Sequence, residues 1–142
     1  MERPAGTDAR REPIDKLAWI EIRDRRILST RSHGKDVWYI PGGKREPGET
    51  DAAALIREVG EELSVELVPE SISHFGDFEA QADGHPEGVR VRMQCYRARC
   101  VGELRPAAEI AEFAWLTSAE ASRISPVDQL IFRQLVEDDE ID

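Results

Sequence analysis

Residues 43–65 read GKREPGETDAAALIREVGEELSV, from Gly43 to Val65, and the spacing inside this stretch decides how the rest of the chain is read. Glu58, Glu61 and Glu62 stand at i, i+3 and i+4, which puts three carboxylates on one face of a helix. Like charges at that spacing repel by roughly 0.2–0.5 kcal/mol per pair on an isolated helix, so the cluster calls for a compensating cation. The donors are hard oxygens with no His or Cys among them, a set that suits Mg²⁺ or Mn²⁺ better than zinc.

On another side of the same helix Ala52, Leu55, Ile56, Val59 and Leu63 recur at helical spacing and form a stripe for a core. The centres of the two faces lie about 120° apart, so the helix is anchored on one side and presents acid on another. Thr50 is placed to cap its start, with Glu49 and Asp51 where the helix dipole favours negative charge. Arg57 precedes Glu61 by one turn and can reach back to Glu49, holding the acidic face in register. A solvated acidic face is the plainer explanation of such a charge run, but none of the three glutamates has a lysine at i+4, and a Pro41-Gly42-Gly43 turn leads in.

The spacing Gly43, five residues, Glu49, seven residues, Arg57-Glu58-Val59, one residue, Glu61-Glu62, one residue, Ser64-Val65 resembles the signature box of the Nudix hydrolases. Their pattern is G-x5-E-x7-R-E-U-x-E-E-x-G-U, with U aliphatic, and every specified position matches except Ser64, where the family has glycine. The resemblance implies that Glu58, Glu61 and Glu62 ligate a divalent metal, Mg²⁺ or Mn²⁺, and that the Gly42 carbonyl joins them. It implies that Glu49 and Arg57 orient the box. The Ser64 departure falls where glycine would take a left-handed helix cap without strain, so it touches local stability at about 1 kcal/mol and removes no ligand.

The implied fold is an α/β class Nudix-type α/β/α sandwich with a mixed central sheet, and 142 residues are enough for one such domain. We read residues 1–13 as a loose polar arm, 14–137 as the domain and 138–142 as an acidic tail. Strands are expected at Leu17–Ile22 and Ile27–Thr30 around an Asp24-Arg25-Arg26 turn, with a short extended run over Val37–Ile40. Further strands follow at Ile72–Glu79, Val89–Cys100 and Phe113–Leu116, with a turn-rich loop from Ala82 to Gly88. Ser118 opens a short helix, and Ser125-Pro126 opens a terminal helix reaching about Val136.

The net charge of −10, from 19 basic against 29 acidic residues, disfavours bulk binding to nucleic acid or an anionic membrane. It leaves room for a small phosphorylated substrate approached through a metal. No apolar run reaches the length of a membrane span and the start carries no apolar signal region, so a cytoplasmic setting is expected. Cys95 and Cys100, five apart on a strand, face opposite ways and form neither a bridge nor a zinc site. A homodimer stays open on these grounds.

Outside the box, Glu109 and Glu112 lie where many relatives supply a further glutamate as ligand or general base; the alternative is that both are solvated loop acids. Glu112 is preferred because it abuts a strand. Lys44, beside the turn, is within reach of a phosphate, and Asp128 lies where some relatives read the nucleobase edge, although helix-dipole compensation accounts for it as well. His33, His74 and His85 lack partners in the sequence, while Trp19, Trp38, Phe75 and Phe78 are assigned to the core.

The family's substrate is a nucleoside diphosphate linked to another group. The resemblance therefore implies metal-assisted hydrolysis of a diphosphate linkage, with Glu58 or a loop acid taking the proton of the attacking water. The proline that ADP-ribose-cleaving relatives place beyond the box is absent near Ala80-Gln81-Ala82, and the tyrosine of dinucleoside-polyphosphate relatives and the extended NADH motif are missing as well. That balance favours a nucleoside triphosphate, ordinary or oxidised, split to monophosphate and pyrophosphate. An ADP-ribose or nucleotide-sugar pyrophosphatase is the alternative. A catalytically silent nucleotide-binding module is the rival from another class, disfavoured by the intact Glu58, Glu61 and Glu62.

Overall fold

The structure is a computed structural model and describes residues 12–142. The arm expected over residues 1–13 lies outside the described residues except for Glu12 and Pro13.

In chain order the strands are β1 (Ile14–Ile20), β2 (Ile22–Arg23), β3 (Arg26–Ser32), β4 (Trp38–Tyr39) and β5 (Gly42–Lys44), then β6 (Glu66–Leu67), β7 (Ser73–Gln81), β8 (Arg90–Arg97), β9 (Cys100–Val101) and β10 (Ile110–Leu116). Among the described residues there are two α-helices, α1 (Asp51–Leu63) and α2 (Pro126–Glu137), with short 3-10 turns at Pro69–Ser71 and Ser118–Arg123.

One sheet has the order β5-β1-β8-β7 and is mixed, because β1 runs parallel to β8 while its other pairings are antiparallel. A second runs β10-β3-β2, with β4 on β3, and β6 pairs with β9. The alternation of β1 explains the layers. Leu17 and Trp19 point to one side and bury against Ala54, Leu55, Val59 and Leu63 of α1. Ala18 and Ile20 point to the other and bury against Ile131, Phe132 and Leu135 of α2. A helix therefore covers each face, the sandwich expected from the sequence. At roughly 1.5–3 kcal/mol for each fully buried aliphatic side chain, Leu55, Val59 and Leu63 anchor α1 firmly.

Several boundaries differ from expectation, three of them with consequences for packing. The strand expected over Leu17–Ile22 begins earlier and breaks at Glu21, so that Ile14–Ile20 joins one sheet while Ile22–Arg23 forms a hairpin with β3. That hairpin turns through Asp24 and Arg25, both with positive φ (52° and 61°), as a tight hairpin turn requires. The strand expected over Val89–Cys100 breaks after Arg97, where the Ala98 carbonyl accepts a hydrogen bond from the buried Trp19 Nε1 at 3.0 Å. The acidic tail is also part of the packed domain. Ile141 is 1% exposed, the Asp142 carbonyl accepts from Ser118 N at 2.8 Å, and Arg25 binds Asp139 and Asp142.

Cys95 lies in the core on the α2 side and Cys100 packs toward the α1 side, both as free thiols. Among the described residues no helix is long and apolar enough to cross a membrane.

Candidate active site

Thr50 caps α1 through its side chain, which accepts from Ala53 N at 3.1 Å, and Asp51 occupies the first turn. At the other end Ser64 takes the left-handed conformation (φ 63°, ψ 21°) in which the matching family position carries glycine. Its N–H closes on the Gly60 carbonyl and its Oγ donates to the Arg105 carbonyl at 3.2 Å, a contact glycine could not make and one that offsets part of the strain.

The strand before the helix meets its acidic face. Gly42 has φ 146°, and a Cβ there would run into the Leu17 and Ala18 backbone, so only glycine lets β5 pair this closely with β1. Its N–H donates to Glu62 Oε1 at 3.2 Å. Gly43 leaves space that the Glu58 carboxylate fills, with Cδ only 2.5 Å from where a Cβ would stand.

Arg57 holds the neighbouring acids. Its Nε and Nη2 donate to the two oxygens of Glu49 at 2.7 and 2.9 Å. Its Nη1 reaches Glu58 at 2.9 Å and Glu61 at 3.4 Å, and Nη2 also donates to the Lys44 carbonyl at 3.1 Å. The bidentate guanidinium holds Glu49 down at a pKa of about 2.

Glu58 and Glu62 behave in the opposite way. Burial pushes Glu62 up to about 8 against the pull of the Gly42 N–H, with the charges of Glu58 and Glu109 adding to the rise. Burial raises Glu58 as well, against the pull of Arg57. Glu61, by contrast, is half exposed.

These residues border a cleft of about 450 Å³. Gly42, Gly43, Lys44, Glu58, Glu62 and Glu109 line one end. The rest of the lining includes Lys16, cross-strand from Lys44, with Tyr39, Ile40, Met93 and Val127, and Asp83 and His85 from the loop between β7 and β8. Tyr39 Oη donates to Asp83 at 2.5 Å and ties that loop to β4. Asp128 is fully buried behind Ile40 and Val127. Its Oδ2 accepts from Ile40 N at 2.8 Å, its Oδ1 has no partner, and burial pushes its pKa up to about 7.

Among the described residues no three Asp, Glu, His or Cys side chains close on one point as metal ligands do. Arg57 accounts for part of this, since it draws Glu58 and Glu61 onto itself. The donor chemistry still fits a hard divalent cation: carboxylates brought to one cleft, two of them disfavoured as bare anions, beside a glycine that keeps the approach to Glu58 open.

Of the sequence-derived residues, Glu58, Glu62, Gly42, Lys44 and Glu109 meet at the cleft, while Glu61 stands at the helix edge and Asp128 behind the far wall. Glu112, the preferred loop acid, does not line it. A β-bulge between Ile110 and Glu112 sets Glu112 opposite Arg31, whose Nη2 pairs with it at 2.7 Å. Lys16, Tyr39 and Asp83 carried no assignment from the sequence, and His85 was read there only as a histidine without a partner. Lys16 did leave a signal there, as the one charge in the apolar alternation Ile14, Lys16, Ala18, Ile20. His74, away from the cleft, pairs with Asp77 and packs edge-on against Tyr96.

A family model described as NUDIX domain matches residues 17–135. A Mycobacterium tuberculosis protein named "Putative 8-oxo-dGTP diphosphatase 2" is 31% identical over 83 residues, 58% of this chain and 55% of the relative, so the match spans about half of that relative's length. The CTP pyrophosphohydrolase of Escherichia coli is 27% identical over 81% of this chain and 85% of its own. In three dimensions the solution structure of the E. coli ORF135 protein superposes with a TM-score of 0.71 at 24% identity, over 91% of this chain and 92% of that one.

Proposed function

Because this chain belongs to the NUDIX family, whose hydrolases generally use divalent metal ions, we propose that it hydrolyses the diphosphate of a nucleoside triphosphate, ordinary or oxidised, to monophosphate and pyrophosphate with Mg²⁺. The observation that carries this reading is the cleft itself: Glu58, Glu62 and Glu109 in its lining and about 450 Å³ between the walls. The names of the M. tuberculosis and E. coli relatives, a diphosphatase and a pyrophosphohydrolase of nucleoside triphosphates, point the same way.

The residues that would hold the ion are Glu58, Glu61 and Glu62, with the Gly42 carbonyl. Bound there, it would supply Lewis acidity toward the phosphate oxygens and lower the pKa of water. The chain's own groups do the rest. Arg57 Nη1 orients Glu58 while the Nε/Nη2 fork on Glu49 braces the guanidinium, so the carboxylate that would meet the substrate's charge is not left to a free rotor. Lys44 stands at the same end of the cleft, placed for the outer phosphate.

For the base, Glu109 replaces Glu112. It lines the cleft close enough for its charge to act on Glu58 and Glu62, while Glu112 is committed to Arg31 on the far side of the bulge. Glu58 is the competing base.

Pyrophosphate release from a panel of nucleoside triphosphates and ADP-ribose, each with Mg²⁺ and with EDTA, tests the reading. Metal-dependent pyrophosphate from at least one triphosphate is expected. Cleavage of ADP-ribose alone would move the substrate class, and inorganic phosphate without pyrophosphate would overturn the reaction.

A further inference from the structure

Ser64 is the one specified position of the box at which this chain departs from the family pattern, and the structure gives its side chain a partner. The last carbonyls of a helix have no partner within it and must be met from outside. At the end of α1 the Gly60 carbonyl is met by the Ser64 N–H. Two more are met by the loop over residues 102–109, which joins β9 to β10. Ala107 N donates to the Glu62 carbonyl and Arg105 N to the Leu63 carbonyl, both at 2.9 Å. The Ser64 Oγ then donates to the Arg105 carbonyl at 3.2 Å, so Arg105 is gripped through both its N–H and its C=O. Pro106, between the two donors, stiffens the run and has no N–H of its own to satisfy.

The same loop delivers Glu109 to the cleft. Only Ala108 separates Ala107, bonded to the Glu62 backbone, from Glu109, which lines the cleft together with Glu62. Ala108 is turned to a positive φ of 54°, a conformation that alanine adopts at a cost and that the contacts on either side hold in place. Beyond it the Glu109 carbonyl accepts from His33 N at 2.9 Å. Glu109 thus stands on a short arm whose placement depends on its footing on α1. With glycine at position 64 that footing keeps two backbone hydrogen bonds, and the serine hydroxyl adds a third. The left-handed cap alone favours glycine, so the serine carries a conformational cost that its bond to the loop offsets.

We propose that Ser64 is a positioning residue for Glu109: its hydroxyl, which a glycine lacks, clamps the 102–109 loop to the end of α1 and so fixes where Glu109 stands in the cleft. The inference rests on the reading of Glu109 as the base and adds what holds that base in place.

The test crosses two substitutions. Ser64→Gly removes the hydroxyl and relieves the left-handed strain. Ser64→Thr keeps the hydroxyl and worsens the strain, because a β-branched residue resists positive φ. Each is measured for melting temperature, for kcat, KM and Mg²⁺ half-saturation on a nucleoside triphosphate, and for amide exchange by NMR. Ser64→Gly should melt close to the parental protein and yet exchange the Arg105, Ala107 and His33 amides about threefold to tenfold faster, the range of one neutral hydrogen bond. Its kcat should fall by a similar factor with KM and Mg²⁺ half-saturation unchanged, since no proposed ligand is touched. Ser64→Thr should melt lower and keep the parental kcat. In a Glu109→Gln background Ser64→Gly should cost nothing further, because the group it positions is gone.

Parental amide exchange in Ser64→Gly overturns the clamp. A kcat that follows melting temperature across the two variants overturns the positioning role and reduces Ser64 to a helix cap. A loss that persists undiminished in the Glu109→Gln background places the effect elsewhere and refutes the assignment. Should Ser64→Thr not fold, Ser64→Asn replaces it, because asparagine tolerates the left-handed region and carries a donor. Exchange is read without turnover, which separates the two readings. A chain that cleaves no nucleotide, or whose Glu109→Gln variant is parental, refutes the function proposed above, while faster exchange at the three amides still supports the placement of Glu109 by Ser64. Hydrolysis with unaltered exchange does the reverse.

Discussion

Gly43→Ala separates the site from the fold more cleanly than removing a carboxylate. An added Cβ stands 2.5 Å from Glu58 Cδ and 2.9 Å from Oε1, where non-bonded contacts settle at about 3.5–4.0 Å, so the carboxylate must retreat by about 1 Å. The atoms in the way are the end of a flexible side chain, and the Gly43 backbone is one an alanine can adopt. Displacing Glu58 costs about 0.5–1.5 kcal/mol of rotamer strain. The lost freedom of the unfolded chain returns about 0.4–1 kcal/mol, so net stability shifts by about 1 kcal/mol at most. A reacting geometry displaced by about 1 Å, however, loses on the order of 10²-fold in rate. Gly42→Ala is the contrasting control. Its Cβ meets backbone, 2.8 Å from the Leu17 carbonyl carbon and 2.9 Å from Ala18 Cα, at φ 146°, and that variant should fail to fold. The assay is a thermal melt paired with pyrophosphate release across a Mg²⁺ titration. A Gly43→Ala protein with parental turnover and parental Mg²⁺ half-saturation refutes the placement of Glu58 at the reacting centre.

Three further outcomes follow from the same geometry. Arg57→Lys keeps the charge and loses the fork to Glu49 and Glu58, so Mg²⁺ half-saturation should rise about tenfold to hundredfold with no proposed ligand removed; an unchanged midpoint sinks the bracing role. Glu109→Gln should lower kcat by about 10²–10⁴-fold while Glu112→Gln, paired with Arg31, stays near parental, and parental rates in both return the base to Glu58. Asp128, raised in the folded state to about 7, binds protons that the unfolded chain has released, so its contribution to stability should fall as pH rises from about 4 to 7 and be gone above that, with Glu62 extending the fall to about 8. Urea unfolding in EDTA should show the slope reduced in Asp128→Asn, and an identical slope removes Asp128 from the account.

The part of the site that was legible in the sequence is the part held within one element. Glu49, Arg57, Glu58, Glu61 and Glu62 sit on α1 and the turn into it, so helical periodicity alone orders them, and the left-handed cap at Ser64 follows from the same local geometry. What escaped depends on pairing between distant strands. Lys16 reaches the cleft because β1 runs parallel to β8 and brings Lys16 beside Met93, a register that no local pattern encodes. The proposed preference for Glu109 over Glu112 rests on the bulge in β10 against β3, which turns Glu112 onto Arg31, a register effect that nearness to a strand in the sequence does not reveal. The tail escaped for a similar reason. Asp138, Asp139 and Glu140 read as solvated charge, but Ile141 fills a core position and Arg25 on the distant β2–β3 turn holds the acids around it.

The directions in which the acids shift argue for the cleft independently of any motif. Glu49, Asp51 and Asp77 are all lowered, and each accepts hydrogen bonds from Arg57, from Tyr96 and Arg45, or from His74 and Arg92. Those are scaffold acids, satisfied by the fold itself. Glu58, Glu62 and Asp128 are all raised, and all three lie at or just behind one cleft, where burial outweighs the partners they have. The one lysine lowered among the described residues, Lys16, lies in that cleft too, kept apart from the carboxylates that would neutralise it. A fold selected for stability alone would close those charges on one another or replace them with apolar side chains, which is often neutral or stabilising. Here charges are buried around one space and held out of contact, an arrangement whose cost would be relieved by a divalent cation brought to the glutamates, as the proposed function requires.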